Sequence, residues 1–481
     1  MKAYPHQSRT LTAMDENDRG LIVIPTGGGK TFVMAENLRQ NLSGVSVVVA
    51  PRILLAQQLF GEIDSIIGNS ATFQHMFAYS GEAIEREMDE LSPEQILDVN
   101  YANCSSDNVK SEYVRSLSNN LPLIIFTTYH SLNNVVGANI PIDRAYLDEA
   151  HNATSIQFSN SVKELSDVVT KMYSFTATPK LGESTTGRGN NVVKTFGEKI
   201  IEVPAKELVE NGIIVPPMPV TVYTGLCREK LDETMLSRDS IIRAYSHCKD
   251  NHPGINHKIL VAADGTKTIN DMRTSTNLIK SLNADGCDVF MVTSAHGSWM
   301  NNTEIKSRSE FLNLLREYGS NPTKKIVVIH HSILSEGIDV PGMTGVLVLR
   351  NMNVSVLRQT IGRVLRMLKT DRNAIANGDI DAGDYMNYHK SYGLVMVPVH
   401  KDDGSDLDST VGIVYNSIMG MGFTPEDVIN EENVRGEHKL ELPDDLKKSI
   451  QQKIKEVDNN WKWMYNTTII ERDFSSLLHL L

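Results

Sequence analysis

One stretch constrains this chain more than any other: Leu21-Ile22-Val23-Ile24-Pro25-Thr26-Gly27-Gly28-Gly29-Lys30-Thr31. The apolar run Leu21 to Ile24 reads as a buried parallel strand. Phe32 to Gln40 carries a helical pattern. The glycines between them allow a tight turn that aims successive N–H groups at one point. At a helix N-terminus such a point attracts phosphate oxygens. Thr26 and Gly27 to Gly29 would form the cradle. Lys30 would reach the outer phosphates, and the Thr31 hydroxyl would bind Mg²⁺. The strict pattern has glycine where Ile24 stands, so the flanking strand and helix supply the context.

A length of 481 residues predicts roughly two to four domains of about 100–200 residues. Hydrophobic content of 41% and charged content of 22% are those of a soluble globular protein. No apolar run reaches the length of a membrane span, and Met1 to Pro5 does not begin a signal peptide. The expectation is an intracellular, cytoplasmic protein with no membrane partner. Cys104, Cys227, Cys248 and Cys287 are far apart and form no ligand pair, which fits a reduced compartment without a zinc or iron–sulfur site. A net charge of −12 argues against a wide basic nucleic-acid footprint but leaves room for a local groove.

Near the start, Gln7 is placed to pair with an adenine edge, and Tyr4 or His6 to stack on it, ahead of a helix from Ser8 to Met14. Strand patterns then recur at Val45–Ala50, Leu123–Thr127, Ala145–Leu147 and Met172–Phe175, with helical patterns between them. This alternation implies an α/β fold with a parallel sheet. Ligands of such sheets bind at the carboxyl ends of strands. Pro51-Arg52, Thr127-Thr128, Asp148-Glu149 and Thr176-Ala177-Thr178 therefore matter. A second series, Lys258–Ala262, Asp288–Val292, Ile326–Ile329, Val346–Leu349 and Leu394–Val397, predicts a second α/β domain without a glycine phosphate loop. The divisions are a first domain at 1–180, a linker at 181–217, a second domain at 218–422 and a helical, charged extension at 423–481. In that extension Trp461, Trp463 and Tyr465 cluster, and the Trp pair at alternate positions reads as packing in preference to a base-stacking platform.

Asp148-Glu149-Ala150-His151 follows a short apolar strand. Mg²⁺ takes hard oxygen ligands, which Asp148 supplies. Glu149 can orient and deprotonate the water that attacks a γ-phosphate. In the second series, Arg363 and Arg366 lie three apart, on one face if the stretch is helical. A guanidinium stabilises charge on a transferring phosphoryl group. In the loop Leu334 to Pro341, Asp339 suits a ribose hydroxyl and Gly337 a close backbone approach.

The ordered series resembles the superfamily 2 helicases with a DEAH box, over Tyr4 to roughly Pro398. The resemblance implies two tandem RecA-like domains forming an ATP cleft, with ATP and Mg²⁺ as cofactors. It implies that Gln7 reads adenine and that Gly27 to Thr31 bind phosphate. His151, Thr176 and Thr178 then belong to the motifs that couple hydrolysis to movement. Gly337, Asp339, Gln359, Arg363 and Arg366 belong to the nucleotide motifs of the second domain. Pro51, Arg52, Thr127, Thr128 and Thr293 stand where the family holds the nucleic-acid backbone. His331 departs from a frequent threonine, and the acidic stretch Phe77 to Ser118 fits no motif.

Phe175 to Pro179, Phe196-Gly197 and Gly212 to Pro217 resemble restriction-type and repair-type DNA helicases, as does Gln359 in place of the histidine usual in DEAD-box RNA helicases. The implied function is an ATP-dependent DNA helicase or translocase with nucleic acid as partner. The alternatives are an RNA helicase or an ATP-gated nucleic-acid clamp that does not unwind. Pro443-Asp444-Asp445-Leu446-Lys447 has its acidic residues and lysine too close together for a nuclease motif and reads as helix capping.

Overall fold

The computed structural model describes residues 3–68, 71–80, 105–180, 182, 188–293, 295–331, 340–349, 354–401, 413–415 and 417–423. Gly337, Asp339, most of the acidic stretch and nearly all of the expected C-terminal extension lie outside the described residues. The chain divides into two compact units, Met1–Val203 and Pro204–Leu481.

The first unit holds seven strands: β1 Arg19–Val23, β2 Val45–Ala50, β3 Gln74–Ala78, β4 Leu123–Thr128, β5 Ile142–Leu147, β6 Val169–Thr176 and β7 Glu198–Glu202. They are ordered β3-β4-β2-β5-β6-β1-β7, and every pairing is parallel. Every residue of β2 and β4 is buried, as a parallel sheet covered on both faces requires. Parallel strands bring their carboxyl ends to one edge, so the turns after neighbouring β5, β6 and β1 meet there.

Two strands of this sheet escape the apolar pattern. β3 is mostly half-buried and β7 has no buried residue; both are sheet edges, covered on fewer sides. The stretch 181–217 is consequently more than a linker: it supplies β7 to the first sheet and the helix Ala205–Glu210 to the second unit. The first helix runs Pro5–Glu16 and so begins at Pro5 rather than Ser8. Proline is preformed for that first helical position, where no N–H is needed.

The second unit has β8 Pro217–Tyr223, β9 Lys258–Ala262, β10 Cys287–Thr293, β11 Gly297–Met300, β12 Thr303–Ile305, β13 Lys325–His330, β14 Gly345–Val348 and β15 Gly393–Val399. Their order is β12-β11-β10-β13-β9-β14-β15-β8. The pairings are parallel except at one end, where β10, β11 and β12 run antiparallel. Val220, Ile259, Val261, Val289, Val327 and Ile329 form part of its core. Pro217 and Pro219 lie within β8, an edge strand, where proline removes no ladder bond that the sheet needs.

One expectation fails here. The helix Val354–Val364 ends before Arg366, which forms an antiparallel bridge with Ile214. Arg363 and Arg366 therefore do not share a helical face. Val215 N–H takes the Leu365 carbonyl at 2.8 Å, which draws the chain out of the helix.

Candidate active site

The glycine turn begins where β1 ends. Ile24 N–H donates to Thr176 O at 3.1 Å, tying the turn to the end of β6. Gly27 and Gly29 have φ of +90° and +80°, a region L-residues avoid. Lys30 is the first residue of the helix Lys30–Gln40, and Thr31 follows it. The backbone N–H groups of this first turn have no partner within the helix, which suits an anion.

Behind the turn stands the first helix. His6 Nε2 lies 2.8 Å from Gly28 O, and Gln7 Nε2 donates to the same carbonyl at 3.5 Å. Gln7 Oε1 accepts from Tyr4 N–H at 3.0 Å, which fixes its carboxamide. A Cβ on Gly29 would sit 2.4 Å from Gln7 Nε2, so glycine is needed for this approach as well as for φ.

The acidic turn follows β5. Asp148 N–H donates to Val49 O at 2.8 Å, and Tyr129 Oη donates to Asp148 O at 2.7 Å. Burial, then the neighbouring Glu149, pushes the Asp148 carboxyl up to about 7; Lys30 opposes this. Glu149 adopts φ +45°, rare for a residue with a side chain. Its carbonyl accepts from Asn152 Nδ2 at 3.1 Å, and its Oε1 accepts from Lys30 Nζ at 3.0 Å. The lysine of one turn and the acid of another are thereby brought into one pair, 119 residues apart in sequence.

His151 joins this turn to the end of β6. Its Nδ1 is 3.2 Å from Thr176 Oγ1, 3.5 Å from Thr178 Oγ1 and 3.4 Å from Glu149 Oε2. Burial drives the imidazole down to about 4, against the pull of Glu149. His151 is therefore neutral near pH 7, and its approach to Glu149 is a polar contact and not an ion pair. Thr178 N–H donates to Thr176 Oγ1 at 3.0 Å, closing the cluster.

Asn190 was not singled out by sequence reasoning. It is buried, donates to Ala150 O at 2.9 Å and accepts from Lys180 N–H at 2.8 Å. A lone asparagine in a Gly/Ser/Thr-rich stretch carries no local signal of this role.

The expected nucleic-acid contacts fare differently. Pro51 and Arg52 are half-buried at the start of the helix Ile53–Ile67. Thr127 and Thr128 are fully buried: Thr127 Oγ1 donates to Ala78 O at 2.7 Å, and Thr128 Oγ1 is 3.0 Å from Ser131 Oγ. Thr293 is also buried, and its hydroxyl accepts from His296 N–H at 2.8 Å. The three hydroxyls thus have partners within the fold. In the second unit Arg363 is buried, while Arg366 and Gln359 are half-buried. Among the described residues no cluster of His, Cys, Asp and Glu could hold a metal ion on its own, and no helix is long and apolar enough to cross a membrane.

Residues 1–181 match the family described as type III restriction enzyme, res subunit. That match takes in both the glycine turn and the acidic turn of the first unit. Its glycine turn has the strand–turn–helix setting of a P-loop. No curated protein matches the sequence.

Solved structures resemble the chain more widely. The type ISP restriction-modification enzyme LlaBIII, bound to DNA, aligns with a TM-score of 0.66 at 17% identity, over 95% of this chain and 33% of that one. This chain thus spans about a third of that enzyme's length. A variant of S. cerevisiae Dbp5 bound to RNA and ADP BeF3 aligns with a TM-score of 0.52 at 15% identity, over 94% of each chain. A fragment of an HsdR subunit of a type I restriction enzyme from Vibrio vulnificus aligns with a TM-score of 0.52 at 14% identity, over 89% of this chain and 68% of that one. Both sheets are RecA-like.

Proposed function

We propose that this chain is an ATP-dependent, DNA-directed helicase or translocase with a DEAH box. The observation that carries the reading is the Lys30–Glu149 pair at the P-loop. It brings a phosphate-binding cation from the turn after β1 and a candidate water-activating carboxylate from the turn after β5 together across the end of β6. A phosphate seated on the turn competes for the Lys30 ammonium, and this leaves Glu149 to accept a proton from an attacking water. Gln7, held by Tyr4 and Gly28, reads the adenine edge.

The residues fit Mg²⁺. Asp148 is a half-buried carboxylate beside a second one, with its affinity for a proton raised; the Thr31 hydroxyl would be a second hard oxygen ligand. When bound, Mg²⁺ would neutralise phosphate charge. Glu149 holds and moves the proton, and Lys30 holds the outer phosphate. His151, neutral and seated between Glu149, Thr176 and Thr178, reports the state of the acidic turn to the end of β6.

Arg363 and Arg366 supply positive charge to the transferring group. Pro51, Arg52 and the chain at Thr127, Thr128 and Thr293 are the candidates for contact with the polymer backbone. The match of residues 1–181 to a restriction-enzyme subunit supports DNA as the polymer. The experiment is ATPase rate against matched single-stranded, duplex and branched DNA and RNA over a range of salt. DNA should stimulate turnover with a shallow salt slope, because few basic groups are engaged. Stimulation by RNA alone would overturn the DNA reading. Tight nucleotide-dependent binding without strand displacement or translocation would favour a clamp.

A further inference from the structure

We infer that Lys390 is a positioning residue for the arginine segment: its ammonium grips the Arg366 backbone and sets where that side chain starts. The inference rests on the proposed role of Arg366 in ATP hydrolysis. The helix Val354–Val364 ends with carbonyls that have no partner inside the helix. Two neighbouring groups take up the chain as it leaves. Val215 N–H donates to Leu365 O at 2.8 Å, and Lys390 Nζ donates to Arg366 O at 2.7 Å. The same ammonium donates to Met343 O at 2.7 Å. It thus ties the end of the arginine segment to the residues that enter β14.

The turn that delivers Lys390 is itself fixed. Asp371 is fully buried and accepts from His389 N–H at 2.9 Å, His389 Nδ1 at 2.8 Å and Lys390 N–H at 3.2 Å. From that turn the chain enters β15 at Gly393. Gly393 packs against the Val364 carbonyl so closely that a Cβ would lie 2.4 Å from it. A lysine is a costly way to fill this space, since a buried ammonium loses its hydration. Burial lowers the Lys390 ammonium to about 7, with Asp371 opposing. An apolar side chain of the same length would pack at less cost. What lysine adds is donors for two carbonyls, Met343 O and Arg366 O.

The test is Lys390→Met, which keeps the length and removes the donors. Trp299, in the second unit, reports folding. Turnover is measured in single-turnover and steady-state ATP assays in wild-type and Arg366→Ala backgrounds. Losing a hydrogen bond from a charged donor should lower kcat about tenfold. KM for ATP should be nearly unchanged, because the P-loop belongs to the first unit. In the Arg366→Ala background Lys390→Met should have little further effect. Unchanged kcat in Lys390→Met, or an equal loss in both backgrounds, would overturn the positioning role. Wild-type turnover in Arg366→Ala would instead sink the arginine reading beneath it. If Lys390→Met does not fold, Asp371→Asn serves: it should lower kcat with KM kept, and a fall in KM and kcat alike would count against the role.

Discussion

His151 offers a sharp test of the geometry around the acidic turn, by acidification. The imidazole is buried and pushed from 6.5 down to about 4. Two effects compete. A protonated ring would gain attraction to Glu149 Oε2 at 3.4 Å, but it would lose hydration and face Lys30 and Lys180. Burial wins. In the unfolded chain His151 takes up its proton near pH 6.5, and in the folded chain only near 4. Between those values the unfolded state binds more protons, so stability falls as pH falls. About 2.5 units at about 1.36 kcal/mol each gives a loss on the order of 3 kcal/mol by pH 4, of which about 1.4 kcal/mol is lost by pH 5.5.

The assay compares wild type with His151→Gln, since the chain has 14 histidines and only the difference isolates one. Amide hydrogen exchange in β1, β5 and β6, corrected for intrinsic rates, reads local stability across pH 4–8. The wild-type curve should drop relative to the variant below pH 6.5. NMR of ring-labelled histidine should show one signal, absent in the variant, that does not titrate until near pH 4. Parallel stability curves, or a His151 midpoint near 6.5, would refute the argument.

Three further outcomes are expected. Lys30→Ala should abolish phosphate binding and turnover, whereas Glu149→Gln should retain ATP and slow hydrolysis severely; near-normal turnover in Glu149→Gln would remove its role as base. Gly29→Ala places a Cβ at φ +80° and 2.4 Å from Gln7 Nε2, so it should cost about 1–2 kcal/mol and weaken preference for ATP over GTP as Gln7 is displaced. Equal unfolding midpoints and equal nucleotide preference would contradict that account. Arg363→Ala or Arg366→Ala should cost on the order of 10³-fold in kcat with folding intact. Stopped-flow phosphate release measures this, and wild-type rates in both would discard the arginines.

Much of the molecule was legible in the sequence because it depends on local rules. Strand β2 was read at its observed bounds, since a strand buried on both faces must be a continuous apolar run. The P-loop was legible because φ values of +90° and +80° call for glycine, and the helix start must follow at once. Edge strands were not legible. β7 has both faces partly in solvent, and β8 contains prolines that read as punctuation. Their identity depends on neighbours that other segments supply.

The site divides in the same way. The residue types at Lys30, Asp148 and Glu149 were apparent from the chain. Their union needed β1, β6 and β5 to lie side by side, so that a lysine meets a glutamate 119 residues away at 3.0 Å. Tertiary structure also gave the hydroxyls of Thr127, Thr128 and Thr293 internal partners that the sequence does not show. It took Arg366 out of the helix by offering its neighbour Leu365 a partner in Val215. A sequence states which groups a segment carries. Whether a hydroxyl faces solvent or a buried carbonyl depends on which strand folds beside it, and that contact is made only when the sheet assembles.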